Sequence, residues 1–196
     1  MMRILEEMLS FNHEFVKKTA KRFAHNLPSK IPSRELAIFT CMDTRLVNFL
    51  LPAIGVKRGE AKVIQNAGNT LSGPLCATIR SFIVSIFELG VKEIVVIGHL
   101  DCGLSKLTYP HLVEKMISRG ISPHALKMVE KELADWVDQF QDPVHNVIEV
   151  VEKIRNHPLI PKDVSVHGLM FNPYTGQLGV VIDGYDAVTD IEVVNG

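Results

Sequence analysis

Apolar runs alternate with helical patterns through the central part of the chain. Residues 36–40, 61–65 and 93–98 form short apolar runs, as buried parallel strands do. Between them, residues 47–54 and 74–89 carry apolar positions at helical spacing. Strands that alternate with helices are joined by right-handed crossovers into a parallel sheet. The pattern therefore predicts an α/β fold with a mostly parallel central β-sheet flanked by helices.

The two ends of the chain add elements of other kinds. Residues 4–27 place apolar side chains on one helical face and stop before a proline-containing segment, which predicts an N-terminal helical arm over 1–27. Two apolar runs, 164–171 and 177–182, flank a turn with proline and glycine and predict a C-terminal hairpin. The length of 196 residues suggests a single domain over 1–196 with this arm appended. Two further helices are predicted over 123–140 and 146–157.

Charge and composition narrow the classes of partner. The chain has 21 basic and 22 acidic residues and a net charge of −1, so we expect no nucleic-acid partner and no anionic membrane partner. The longest apolar stretch, 71–89, contains Arg80 and Glu88 and is too polar to span a membrane. The N-terminal residues lack the pattern of a signal peptide. We therefore expect a cytoplasmic protein, in which three cysteines do not indicate a disulfide framework.

Three residues with metal-binding side chains follow two of the predicted strands. Cys41 comes directly after the first strand, and His99 and Cys102 follow the third. Alone, Cys41 would be interpreted as a buried core thiol and His99 as a loop residue. Because ligands gather at the carboxyl ends of parallel strands, their joint placement favours a metal site. Two thiolates and one imidazole suit zinc and leave the fourth tetrahedral position for water, as in catalytic rather than structural sites.

Two acidic residues near these three have several possible roles. Asp43 could accept a hydrogen bond from a zinc-bound hydroxide, occupy the fourth zinc position itself, or form a simple surface ion pair with Arg45. An Arg45–Asp43 pair would hold the carboxylate off the metal, and breaking it would let Asp43 close the site. Asp101 is either a turn residue or a group that hydrogen-bonds near the metal ligands, and the sequence favours neither.

The chain resembles the β-class carbonic anhydrases. The run Cys41-Met42-Asp43-Thr44-Arg45 matches that family's Cys-x-Asp-x-Arg motif, and the run from Gly98 to Gly103 matches its Gly-His-x-x-Cys-Gly motif. Residues 66–69 resemble the family's loop after the second strand, and residues 166–178 resemble its terminal hairpin. The resemblance covers residues 33–183, which we therefore expect to form the catalytic core.

The resemblance implies reversible hydration of carbon dioxide to bicarbonate by attack of a zinc-bound hydroxide. It implies one zinc ion per chain, with Cys41, His99 and Cys102 as ligands and Asp43 and Arg45 as a catalytic dyad. It also implies a homodimer or a higher homo-oligomer in which the N-terminal helix reaches the partner. The alternatives are a zinc hydrolase of a sulfur analogue, carbon disulfide or carbonyl sulfide, and a catalytically inactive zinc-binding homologue.

The chain departs from the family pattern in two places. Gln65 stands where the family usually has arginine, just before the loop that follows the second strand. The segment 29–34 lacks a glutamine that many members carry before the first strand. Loss of the arginine charge at Gln65 can alter a subunit contact or the anion affinity near the site. The missing glutamine points to the shorter, divergent prokaryotic branch and bears on efficiency rather than on the type of reaction.

Overall fold

A five-stranded sheet forms the centre of the larger of two units, Ile31–Gly196. The structure is a computed structural model that describes residues 3–23, 27, 29–140 and 142–185, with the backbone alone described for 20–23. In spatial order the strands are β2 (Ala61–Asn66), β1 (Leu36–Cys41), β3 (Glu93–His99), β4 (Ser165–Phe171) and β5 (Leu178–Ile182). The first four run parallel and β5 runs antiparallel to β4. This confirms the predicted α/β fold and its C-terminal hairpin.

Six α-helices occur among the described residues. They are α1 (Ile4–Phe23), α2 (Leu50–Ala53), α3 (Ala77–Phe87), α4 (Tyr109–Ser118), α5 (Pro123–Asp138) and α6 (Pro143–Arg155). Helix α1 belongs to the smaller unit, Met1–Lys30. No helix in the described part of the chain has the length and apolarity that a membrane span requires. The division into an arm over 1–27 and a catalytic core over 33–183 stays a prediction.

Several helix ends differ from the predicted ones for identifiable reasons. Helix α6 begins three residues earlier than predicted, because the Asp142 carboxylate accepts the backbone N–H groups of Val144 and His145 and caps the helix. Helix α2 is shorter than predicted, because Val47 has an extended backbone and Asn48 a positive φ of 59°, and an α-helix includes neither conformation. The predicted continuation of α1 over 24–26 lies outside the described residues.

Each face of the sheet has its own apolar cluster. On one face, α3 and α6 pack against β1 and β3, with the Phe82 ring edge-on to Phe39 at 5.8 Å between centroids. On the other face, the strands contribute Ile38, Ile97 and Phe171 to the cluster. They pack with Leu46 before α2, Leu50 in α2 and Phe140 after α5. Cys41 and Cys102 belong to this second cluster. The predicted site residues therefore lie on the second face, at the carboxyl ends of the parallel strands.

Candidate metal centre

Cys41, His99 and Cys102 meet at the carboxyl ends of two neighbouring strands. Cys41 is the last residue of β1 and His99 the last of β3, and these strands pair directly. One ligand atom from each of the three residues lies within 4.8 Å of the others. The two Sγ atoms are 3.9 Å apart, and all three residues are buried. The cluster is therefore able to hold a metal ion, while the assignment of these residues as zinc ligands stays a prediction.

The hydrogen bonding of His99 fits a metal at this point. Its Nδ1 lies 2.9 Å from the Leu100 carbonyl oxygen and so serves as the donor nitrogen of the ring. The other nitrogen, Nε2, is buried and has no hydrogen-bond partner. Buried polar atoms almost always have partners, so a free imidazole nitrogen beside two thiols suits a bound cation. A histidine that binds a metal is commonly oriented in this way, by a hydrogen bond from its other ring N–H to a backbone carbonyl oxygen.

A hydrogen bond between the two thiols makes Cys41 easier to ionise, which favours binding of a cation. Their mutual hydrogen bond lowers the pKa of Cys41 and raises the pKa of Cys102. The backbone N–H groups of Gly68 and Asp43 also donate to Cys41 and lower its pKa further. One thiolate is therefore available near neutral pH, and metal binding would drive the second proton off.

Asp43 lies beside this cluster and is held by Arg45. Its Oδ1 accepts the Arg45 backbone N–H at 2.8 Å and the Nε–H at 3.0 Å, and its Oδ2 accepts Nη2–H at 2.8 Å. The same Oδ2 is 3.8 Å from His99 Nε2, and the Asp43 side chain is only 15% exposed. Hydrogen bonding from Arg45 lowers the pKa of Asp43 to about 2. Asp43 and Arg45 are therefore more than a surface ion pair, because they place an ionised hydrogen-bond acceptor next to the candidate metal position.

Two residues outside the predicted site contact Arg45. Asp101 adopts a left-handed backbone conformation with φ 52°, as a turn residue, and its carboxylate also accepts a hydrogen bond from Arg45. Tyr174, in the turn between β4 and β5, contacts Arg45 through its hydroxyl. The sequence left the role of Asp101 open and assigned none to Tyr174, because no spacing links the hairpin turn to the two motifs.

A cavity of about 600 Å³ opens onto the cluster. It is lined by Leu104, Leu107 and Trp136 and by the segment from Cys41 to Arg45. The Trp136 indole N–H donates to Thr70 Oγ1 at 3.3 Å and so ties α5 to the loop after β2. The sequence placed Trp136 on the apolar face of a helix, and its position beside the cavity is visible only in the folded chain.

The loop after β2 approaches the cluster closely. Gly68 has φ 67°, and a Cβ at this position would clash with Leu104 Cδ2 and crowd the Phe140 ring. From α6, Asn146 Nδ2 donates to the Gly68 carbonyl at 3.0 Å and holds the loop in place. Gln65, at the position where arginine was expected, donates from Nε2 to the Cys41 carbonyl at 3.1 Å. These contacts fix the backbone around the first cysteine.

Comparison with known proteins finds matches that cover most of the chain. The family model described as carbonic anhydrase matches residues 36–178. The crystal structure of β-carbonic anhydrase isoform I (TvaCA1) from Trichomonas vaginalis superposes with a TM-score of 0.90 at 43% identity, covering 94% of this chain and 100% of that one.

Two curated relatives carry different names. Beta-carbonic anhydrase 1 of Mycobacterium tuberculosis (strain ATCC 25618 / H37Rv) is 31% identical over 182 residues, covering 92% of this chain and 99% of that protein. Carbon disulfide hydrolase of Acidianus sp. (strain A1-3) is 30% identical over 184 residues, covering 84% of this chain and 88% of that protein.

Proposed function

Since this chain belongs to the β-carbonic anhydrase family, we propose that it catalyses the zinc-dependent, reversible hydration of carbon dioxide to bicarbonate. The observation that carries the proposal is the buried cluster of Cys41, His99 and Cys102 with the ionised Asp43 beside it. A three-residue donor set leaves a fourth position of a tetrahedral zinc site for water.

Three groups of residues have separate roles in the proposed reaction: they hold the zinc, orient the nucleophile and bind the substrate. Zinc held by the two thiolates and the imidazole would lower the pKa of a water molecule to about 7 and so supply hydroxide at neutral pH. Asp43, kept ionised by Arg45, accepts a hydrogen bond and orients the nucleophile without taking up its proton. Leu104, Leu107 and Trp136 give the nonpolar substrate an apolar surface beside the cluster.

Stopped-flow hydration of carbon dioxide with a pH indicator tests the proposal. The zinc-loaded protein should show a rate far above the uncatalysed one, and metal analysis should give one zinc ion per chain. Cys102→Ser serves as the metal-site variant and should lose both bound zinc and activity. Zinc-loaded protein with no rate above background would contradict the proposal.

Hydrolysis of carbon disulfide is the second candidate. It is favoured by the similarity to the carbon disulfide hydrolase of Acidianus sp. and by the apolar walls of the cavity. The same nucleophile could attack either linear substrate. Measurement of sulfide release from carbon disulfide separates the two, and protein that hydrates carbon dioxide but releases no sulfide removes this candidate.

We also infer a homodimer or a larger homo-oligomer in the cytoplasm. Helix α1 exposes Leu5, Met8 and Leu9, which fall on one helical face and are each more than 60% exposed. All three cysteines are free thiols, in keeping with a reducing compartment. Light scattering after size-exclusion chromatography measures the assembly, and Leu9→Lys should shift it toward the monomer. Cell fractionation tests the location.

A further inference from the structure

The Arg45 guanidinium is held on two sides, and only one side is Asp43. Its Nη1 donates to Asp101 Oδ2 and to Tyr174 Oη, at 3.0 Å each. Its Nη2 donates to the Asp101 backbone carbonyl at 2.7 Å. The Tyr174 hydroxyl in turn donates to Asp101 Oδ2 at 2.9 Å. Arg45 therefore lies between two carboxylates that use different N–H groups.

The second set of contacts fixes the orientation of the first. A guanidinium is planar and presents its N–H groups in fixed directions. Anchoring Nη1 and Nη2 on Asp101 and Tyr174 therefore sets the plane in which Nε and Nη2 meet both oxygens of Asp43. The Tyr174 ring adds to this hold, with Arg45 Cζ 5.6 Å from its centroid.

Tyr174 is itself held firmly enough to act as an anchor. Its backbone N–H donates to Asn172 Oδ1 at 2.9 Å, and the Thr175 N–H donates to the same oxygen at 3.3 Å. An asparagine that accepts from the residues two and three positions later stabilises a turn. The hydroxyl of Tyr174 is thus presented to Arg45 by a structured hairpin turn.

We propose that Asp101 and Tyr174 are positioning residues that clamp Arg45, so that Asp43 stays paired with it and does not close the metal position. The inference rests on the proposed function, since it assigns the groups that hold Asp43 in its role there. The Asp43 carboxylate is close enough for the alternative, because its Oδ2 is 3.8 Å from the free Nε2 of His99. A carboxylate released by Arg45 needs only a short movement to reach a cation bound at that nitrogen.

Two mild substitutions test the clamp. Tyr174→Phe removes the hydroxyl and keeps the ring, and Asp101→Asn removes the charge while asparagine tolerates the positive φ. We expect each to lower kcat/KM for carbon dioxide about 10-fold at neutral pH, as loss of a hydrogen bond to a charged group does. Tyr185→Phe is the matched control, because its ring packs against His167 and it has no place in the site, and it should keep wild-type activity.

The position of Asp43 provides a readout that a merely structural role would not move. In crystal structures of the zinc-loaded variants, we expect the Asp43 carboxylate to leave Arg45 and bind the metal. Azide binding to the cobalt-substituted variants, followed by visible absorption, should weaken because Asp43 occupies the position that azide needs. Wild-type activity in both variants, or lost activity with Asp43 still paired to Arg45, would overturn the clamp.

The test separates the clamp from the proposed function. If wild-type protein shows no hydration of carbon dioxide, the proposed function fails, while the Asp43 position in the variant structures still decides the clamp. If Asp101→Asn does not fold, Tyr174→Phe alone decides it. Higher activity in Asp101→Asn would mean that Asp101 competes with Asp43 for Arg45, and it would also overturn the proposal.

Discussion

Replacement of Gly68 by alanine should destabilise the fold through two separable effects. The position has φ 67°, and an added Cβ would clash with Leu104 and crowd Phe140. Gly55 offers a matched control, because it has nearly the same φ, 69°, and an added Cβ there would meet nothing within 4 Å. Gly55→Ala thus reports the backbone cost alone, and Gly68→Ala reports the same cost plus crowding.

The magnitudes follow from these surroundings. A left-handed conformation costs a residue with a side chain about 1–2 kcal/mol. About half of this cost is offset, because alanine also reduces the conformational entropy of the unfolded chain. Overpacking adds about 1–3 kcal/mol at Gly68 only. We therefore expect Gly55→Ala to lower the free energy of unfolding by about 1 kcal/mol and Gly68→Ala by about 2–4 kcal/mol.

Urea unfolding followed by circular dichroism measures both changes, with chelator present so that zinc binding does not contribute. Equal losses in the two variants would refute the crowding at Gly68. A double variant, Gly68→Ala with Leu104→Ala, sharpens the test, because removing the clashing side chain should make the combined loss smaller than the sum of the single losses. Gly68→Ala should also bind zinc more weakly, because relief of the clash with Leu104 would shift the backbone N–H of residue 68, which lowers the pKa of Cys41.

Three further predictions concern the candidate metal centre. Asp43→Asn should keep one zinc per chain but lower kcat for hydration about 100-fold in stopped flow, because it removes the charged acceptor, and an unchanged kcat would exclude Asp43 from catalysis. Dialysis against a zinc chelator should abolish hydration and added zinc should restore it; activity that survives complete zinc removal would contradict the proposed cofactor. Because the pKa of Asp43 is lowered to about 2 from about 3.9 when unfolded, its ion pair with Arg45 should stabilise the fold fully above about pH 4 and progressively less toward pH 2. Between those pH values wild type should therefore lose more unfolding free energy than Asp43→Asn, and equal losses would argue against the lowered pKa.

The sheet and the meeting of the three metal-binding side chains were predictable because both depend on local patterns. Short apolar runs separated by helical patterns leave few topologies, and adjacent parallel strands bring Cys41 and His99 to one edge. The identification of the family is confirmed by the family model over residues 36–178. Helix starts were less predictable, because they depend on single residues, such as the Asp142 cap of α6 and the positive φ of Asn48 before α2.

The surroundings of the dyad could not be predicted from the sequence, because they come from distant segments with no pattern of their own. Tyr174 reaches Arg45 from a hairpin turn after β4, and Trp136 reaches the cavity wall from α5. Gln65, noted only as a missing arginine, proves to hold the carbonyl of Cys41. Each of these contacts needs the packing of the whole sheet and its helices before the two partners come within reach.

The metal-binding side chains and the Asp43–Arg45 pair are supported by different parts of the fold. Cys41 and His99 end two central strands and are each paired with a neighbouring strand, and Cys102 follows three residues after His99. Asp43 instead depends on Arg45, whose partners Asp101 and Tyr174 belong to the turn after β3 and to the turn between β4 and β5. Turns yield to change more readily than central strands. Substitutions in the hairpin turn should therefore lower activity without loss of bound zinc, whereas substitutions at the strand ends should lower both.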